Sequence, residues 1–192
     1  LHDDVADMVG SAGRPLMGNK IRIVDEKGKE APPNVLGEIQ MKGPAVTPGY
    51  WNRPKANEES FSNGWFKTGD IGKKDSNGYI FIEDRLKDMY ISGGENVYPA
   101  EVENILYELE EIKEVAIIGI PDPKWGEVGC AVVCFNDGKE LTLEEIRSHC
   151  AKNLANYKIP SFLVDMEILP RSATGKVLKF ELRQTIPAKL NQ

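Results

Sequence analysis

Over residues 1–83 the apolar positions come in short runs separated by glycine, proline and Asn-Gly turns, and nowhere repeat at helical spacing for a useful length. The runs Lys20–Asp25 and Gly37–Lys42, and the pair flanking Asn77-Gly78, predict antiparallel strands. With no amphipathic helix to cover a sheet face, this part is expected to complete a larger body.

After about residue 88 the spacing changes to alternating helices and strands. Pro99 opens a predicted helix that places Val102, Ile105, Leu106 and Leu109 on one face. Glu114–Ile120 and Val128–Phe135 have the apolar density of core strands. Thr142 with Glu145 three residues on is a capping-box pattern, and the helix it opens carries Leu143, Ile146, Cys150 and Leu154 on its buried side. A further strand is predicted over Ser161–Ile168 and a last short helix over Val177–Ile186. Residues 88–192 therefore predict a compact α+β domain, with no internal repeat and no low-complexity tract.

A length of 192 residues suits one domain, or a domain plus a fragment. Hydrophobic residues at 41% and charged residues at 28% are ordinary for a soluble globular chain, and no run of about 18 apolar residues is present to span a membrane. The acidic start Leu1-His2-Asp3-Asp4 lacks the basic and apolar segments of a signal peptide, and the missing initiator Met predicts a chain that begins inside a longer protein. A net charge of −6 leaves no basic stripe for a nucleic-acid backbone. Cys130, Cys134 and Cys150 have no CxxC spacing and read as reduced, buried thiols of a cytoplasmic protein. With His2 and His149 as its two histidines, the chain predicts no metal site.

Three stretches set isolated charges beside glycines. In Gly64-Trp65-Phe66-Lys67-Thr68-Gly69-Asp70 an aromatic strand ends with a carboxylate at a tight turn. Such a group can accept two hydrogen bonds from a vicinal diol such as a ribose, though it also reads simply as a turn-forming aspartate. From Glu83 to Asp88 a run of charges has the look of an exposed linker, followed by Gly93-Gly94 ahead of a helix start, where bare backbone permits close approach of a ligand. In Pro170-Arg171-Ser172-Ala173-Thr174-Gly175-Lys176 the Gly-Lys pair is not a phosphate loop, because Pro170 stands where glycine is required and Val177 where Ser or Thr is. Lys176 is either a point charge presented by a mobile loop or a plain surface lysine.

Taken together and in this order, the three stretches resemble the adenylate-forming superfamily of acyl-CoA synthetases, peptide-synthetase adenylation domains and luciferases. Gly10-Ser11-Ala12-Gly13-Arg14-Pro15, Gly37-Glu38-Ile39 with Lys42-Gly43-Pro44, and Gly49-Tyr50-Trp51 extend the likeness upstream. Ile91-Ser92-Gly93-Gly94-Glu95-Asn96-Val97-Tyr98-Pro99 looks more like fatty and aryl acid CoA ligases. The resemblance implies the C-terminal portion of an AMP-forming acyl-CoA synthetase. Residues 1–86 would be a β-rich, half-barrel fragment of the large adenylation domain, and residues 87–192 a small α+β lid with a mixed sheet. It further implies that Asp70 and Arg85 bind the nucleotide ribose, that Lys87 is the hinge, and that Lys176 reaches the acid's carboxylate and the α-phosphate. Gly93 and Gly94 would line the CoA path. The substrates and partners would be a carboxylic acid, ATP, CoA and the protein's own N-terminal adenylation domain, with Mg2+ held by residues outside this chain and self-association left open.

The fragment alone is expected to be inactive, since the ATP-phosphate loop and acid pocket of that family lie upstream of these residues. Three other readings are an adenylation domain that loads a carrier protein, a non-catalytic lid, and an unrelated α+β binding module. Pro121-Asp122-Pro123-Lys124-Trp125-Gly126-Glu127 also resembles a family loop, with Trp125 expected to pack rather than to bind.

Overall fold

The computed structural model describes residues 8–190. The acidic start, with His2, lies outside the described residues. The chain divides into two compact units, Leu1–Lys87 and Asp88–Gln192.

The first unit is built on an antiparallel sheet of five strands. Its elements are β1 (Lys20–Val24), β2 (Gly37–Lys42), α1 (Pro54–Ser60), β3 (Phe61–Ser62), β4 (Trp65–Lys74) and β5 (Ile80–Arg85). The order is β1-β2-β4-β3, with β5 also on β4, so the long β4 is the strand against which β2, β3 and β5 register, while β1 pairs with β2. Bulges between Glu38 and Gln40 and between Ile71 and Gly72 bend the sheet, as a curled half-barrel requires. Asp75 closes the β4–β5 hairpin, its Oδ1 accepting from the amides of Asn77 and Tyr79 at 2.9 and 2.7 Å. Ahead of the sheet, Ala12 N and Ser11 Oγ donate to the Ile80 carbonyl, and Arg14 stacks 4.1 Å from the Tyr79 ring centre.

The first unit buries little. Its core cluster is Ile23, Ile39 and Ile80, while α1 buries no residue. Met17 and Trp51 are 100% and 96% exposed.

The second unit holds β6 (Tyr90–Ser92), β7 (Glu95–Val97), α2 (Pro99–Leu106), β8 (Ile112–Asp122), β9 (Gly126–Phe135), α3 (Leu143–Cys150), a 3₁₀ turn at Asn156–Lys158, β10 (Phe162–Asp165) and α4 (Lys179–Leu190). Its sheet runs β10-β9-β6-β7 with β8 on the other pairing of β9. The β10–β9 pair is parallel and the rest antiparallel, which makes the sheet mixed, as expected.

The two-residue period of β8 and β9 sorts their side chains onto two buried faces. Val115, Ile117, Ala131 and Val133 pack with Val102 and Leu106 of α2 and Ile146 and Cys150 of α3. Ala116, Ile118, Cys130 and Val132 pack with Leu182 and Ile186 of α4 on the other. The three cysteines are all buried and free. Thr142 caps α3 reciprocally with Glu145, as the sequence pattern predicts.

Tyr90 sits 2% exposed where two glycines make room for it. A Cβ on Gly119 would lie 2.4 Å from the Tyr90 Cβ, and one on Gly129 would lie 2.5 Å from its hydroxyl oxygen.

Two predicted elements are corrected. The strand expected over Ser161–Ile168 is ordered only as Phe162–Asp165. After Met166 N donates to the Val133 carbonyl the chain leaves the sheet, exposing Ile168 and sending Leu169 into the core. The last helix begins at Lys179 rather than Val177, because Val177 pairs with Arg171 in a bridge and Leu178 N donates to the Pro170 carbonyl. It continues past Ile186 to Leu190 through Pro187, with Leu190 packed on the second core cluster.

Candidate functional site

Asp70 and Arg85 are brought together within the first unit. They are direct partners across β4 and β5, and Arg85 Nε lies 2.9 Å from Asp70 Oδ1. The backbone leading to the carboxylate is fixed from below. Thr68 Oγ1 donates to the Ile39 carbonyl at 2.8 Å and accepts from Asp70 N at 3.1 Å. Gly69 takes a positive φ of 71°, and its carbonyl accepts from Leu86 N. One carboxylate oxygen is engaged by the guanidinium, and the side chain keeps 25% of its surface exposed. The arrangement can offer its other oxygen to an incoming hydroxyl pair.

Lys87, the predicted hinge, is exposed and is the last residue of the first unit. The next residue, Asp88, is tied into the second unit, where its carbonyl accepts from Arg183 of α4.

Gly93-Gly94 was expected as a turn ahead of a helix; it forms the two-residue tip of the β6–β7 hairpin. Their φ values of 61° and 91° are both positive, the combination that a tight hairpin turn with right-handed strand twist requires. Gly93 N donates to the Trp125 carbonyl at 2.9 Å, and a Cβ on Gly93 would stand 3.0 Å from Trp125 Cε3. Trp125 lies beside this tip and under the Lys124 ammonium at 4.5 Å, with 49% of it exposed. The tip thus presents backbone with an aromatic plate beside it.

Lys176 is exposed on a closed loop. Ser172 N donates to the Lys176 carbonyl at 2.8 Å, Gly175 N to the Ser172 carbonyl at 2.9 Å, and Lys176 N to Ser172 Oγ at 3.2 Å. The loop is anchored at its ends by buried Leu169 and half-buried Val177. Beyond it, the Lys179 ammonium pairs with Glu103 of α2 at 2.7 Å with both side chains largely buried. The ammonium of Lys176 has no partner among the described residues.

Comparison with known proteins extends over the same ground. Residues 1–51 match the AMP-binding enzyme family and residues 101–176 the AMP-binding enzyme C-terminal domain. A feruloyl-CoA synthase of Amycolatopsis sp. is 46% identical over 180 residues, 94% of this chain and 37% of that protein. The long-chain-fatty-acid–CoA ligase FadD13 of Mycobacterium tuberculosis is 44% identical over 188 residues, 98% of this chain and 37% of its own length. The o-succinylbenzoate CoA synthetase MenE of Bacillus subtilis, solved in complex with the acyl-adenylate intermediate OSB-AMP, superposes with a TM-score of 0.85. It is 41% identical, and the match covers 96% of this chain and 37% of that one.

The chain belongs to the AMP-binding enzymes. It is a C-terminal portion of that family, spanning about 37% of the length of the relatives it matches.

Within this AMP-binding enzyme portion, Lys176 stands out in the sequence, whereas the groups that surround it do not. Arg171, five residues before it, is paired through Nη2 with Glu114 Oε2 at 2.8 Å, and its Nη1 donates to the Gly175 carbonyl. The available signal was Glu114 itself, a carboxylate directly ahead of the apolar run 115–120 of the same strand. A second missed pair is Lys158 with Glu101, both carboxylate oxygens 2.7 Å from Nζ, which fixes the start of α2 just after the hairpin. No group of His, Cys, Asp and Glu that could hold a metal ion occurs among the described residues. No helix among them is long and apolar enough to cross a membrane.

Proposed function

We propose that this chain is the lid and the adjoining sheet of an ATP-dependent acyl-CoA synthetase acting on a hydrophobic acid, fatty or aryl. The observation that carries this reading is the match of 94–98% of this chain to part of ligases of different acids, with Asp70, Arg85 and the Lys176 loop each held by local structure. Residues 1–86 belong to the large adenylation domain and residues 87–192 form the lid.

In the first step a carboxylate oxygen of the acid bonds to the α-phosphorus of ATP while the bond to the pyrophosphate oxygen breaks. Asp70 accepts from the ribose hydroxyls, with Arg85 holding the carboxylate in place. Lys176 brings its ammonium to the oxygens that gain charge, a contact worth roughly a hundred- to a thousandfold in rate. In the second step the CoA sulfur bonds to the acyl carbon, AMP leaves with the electrons of the broken C–O bond, and the thiol proton passes to solvent. Rotation about Lys87 exchanges the Lys176 loop for the Gly93-Gly94 tip between steps. Mg2+, arriving with ATP, is held by residues outside this chain. Reduced buried thiols fit a cytoplasmic setting.

The test is made on the full-length enzyme with a panel of short, medium, long and aryl acids. Lys176→Ala should slow acid-dependent pyrophosphate release roughly a hundred- to a thousandfold while leaving CoA-thioester formation from supplied acyl-adenylate intact. Unchanged pyrophosphate release would refute the assignment, as would robust release from residues 1–192 alone.

A further inference from the structure

We propose that Arg171 and Glu114 together are the positioning device for Lys176, a fixed strut that aims the loop during adenylation. The inference rests on the reading of Lys176 given above and concerns how that lysine is held.

The carbonyl that Arg171 grips belongs to Gly175, so the hydrogen bond falls on the peptide unit joining Gly175 to Lys176. The other arm of the same guanidinium is paired with Glu114 Oε2 at 2.8 Å. Glu114 stands on β8, next to Val115 and Ala116, which are 4% and 1% exposed. The strut therefore runs from the buried sheet, through one planar cation, to the backbone of the reactive residue. A guanidinium suits this because its donors have a fixed fork geometry, whereas an ammonium on the same stem is a flexible point charge.

Two further observations give the strut something to do. Gly175 has a φ of 82° and nothing within 4 Å of the place its Cβ would occupy, so packing does not restrain the turn. The remaining bonds of the loop run among Ser172, Thr174, Gly175 and Lys176 themselves, and so close the hairpin without fixing it to the sheet. At the tip, Arg171 alone supplies a tie to β8 among the described residues. Glu114 also sets a negative charge against Arg171, so that the uncompensated cation of the loop is Lys176.

The experiment uses the full-length enzyme and whichever acid of the panel gives the fastest pyrophosphate release. Arg171→Met and Glu114→Ala should each lower kcat for pyrophosphate release roughly ten- to a hundredfold, the scale of a small misplacement of a catalytic group. KM for ATP should stay within about twofold, and thioester formation from supplied acyl-adenylate should be unchanged. Glu114→Gln, which keeps an acceptor oxygen, should recover most of the rate. The double variant should be no slower than the worse single one, as expected of residues that act as one unit. Hydrogen exchange over residues 170–178 should rise in both single variants. If Lys176→Ala slows pyrophosphate release but Arg171→Met and Glu114→Ala do not, the strut is refuted and the function stands. If both half-reactions fall equally, the pair is a general structural contact and the proposal also fails. If Lys176→Ala itself is without effect, the underlying reading fails first.

Discussion

Arg85 and Asp70 face each other as direct partners across β4 and β5, which places the guanidinium nitrogen 2.9 Å from the carboxylate. The pair is partly exposed, and exposed pairs contribute little to stability, at most about 1 kcal/mol. Asp70→Asn and Arg85→Ala in the full-length enzyme should therefore leave the melting temperature nearly unchanged. KM for ATP should rise roughly tenfold or more for Asp70→Asn, since hydrogen bonds to a charged group are worth about 1.5–3 kcal/mol. Melting curves and ATP titrations check both halves.

Gly119 has no room for a methyl group, because the Tyr90 Cβ and ring occupy the space. Gly119→Ala should destabilise the second unit by about 1–3 kcal/mol through overpacking. For a unit of this size that lowers the midpoint of thermal unfolding by several degrees or more. A melt within a degree of wild type would show that the β8 backbone yields freely.

Thr142 accepts from Glu145 N while Glu145 accepts from the Thr142 backbone, which holds that carboxyl below its usual range. Thr142→Ala should cost about 1 kcal/mol, read as a shift in denaturant midpoint at constant slope. A depressed carboxyl stabilises the fold above its unfolded pKa and loses that effect as pH falls through the folded one. The difference between variant and wild type should therefore shrink on acidification.

Burial pushes the Cys130 thiol up to about 12 and the Cys150 thiol to about 11, the latter partly offset by Arg147. Unfolded cysteine ionises near 8.5. Between that pH and the folded values the unfolded chain has lost protons that the native chain retains, so stability falls as pH rises. Urea midpoints should be level up to about pH 8 and decline above it, and Cys130→Ala should flatten the decline. Native thiols should also react slowly with disulfide reagents at pH 8.

Much of this was legible because period and capping are local signals. Gly37–Lys42 appears as a strand with the residues expected, and the Thr142–Glu145 box is formed reciprocally. The α2 stripe is legible for Val102 and Leu106, both fully buried, while Leu109 lies beyond the helix end and is only partly buried. What failed depended on distant partners. Nothing around Ile168 announces that β10 finds pairing only along Cys130–Val133, and Val177 reads as a helix residue until its bridge to Arg171 is seen. The Arg171–Glu114 contact spans most of the second unit's sequence, so no local window contains it. The resemblance puts Asp70 and Arg85 at one site, but their 2.9 Å contact depends on the register of β4 and β5.

The turn at Gly93 and Gly94 carries one more consequence. A surface of two residues without side chains offers backbone alone, with the Gly93 amide already given to the Trp125 carbonyl, and nothing that differs from one amino acid to another. With Gly93 and Gly94 lining the thiol's path as proposed, any choice among acids would rest with residues beyond this turn.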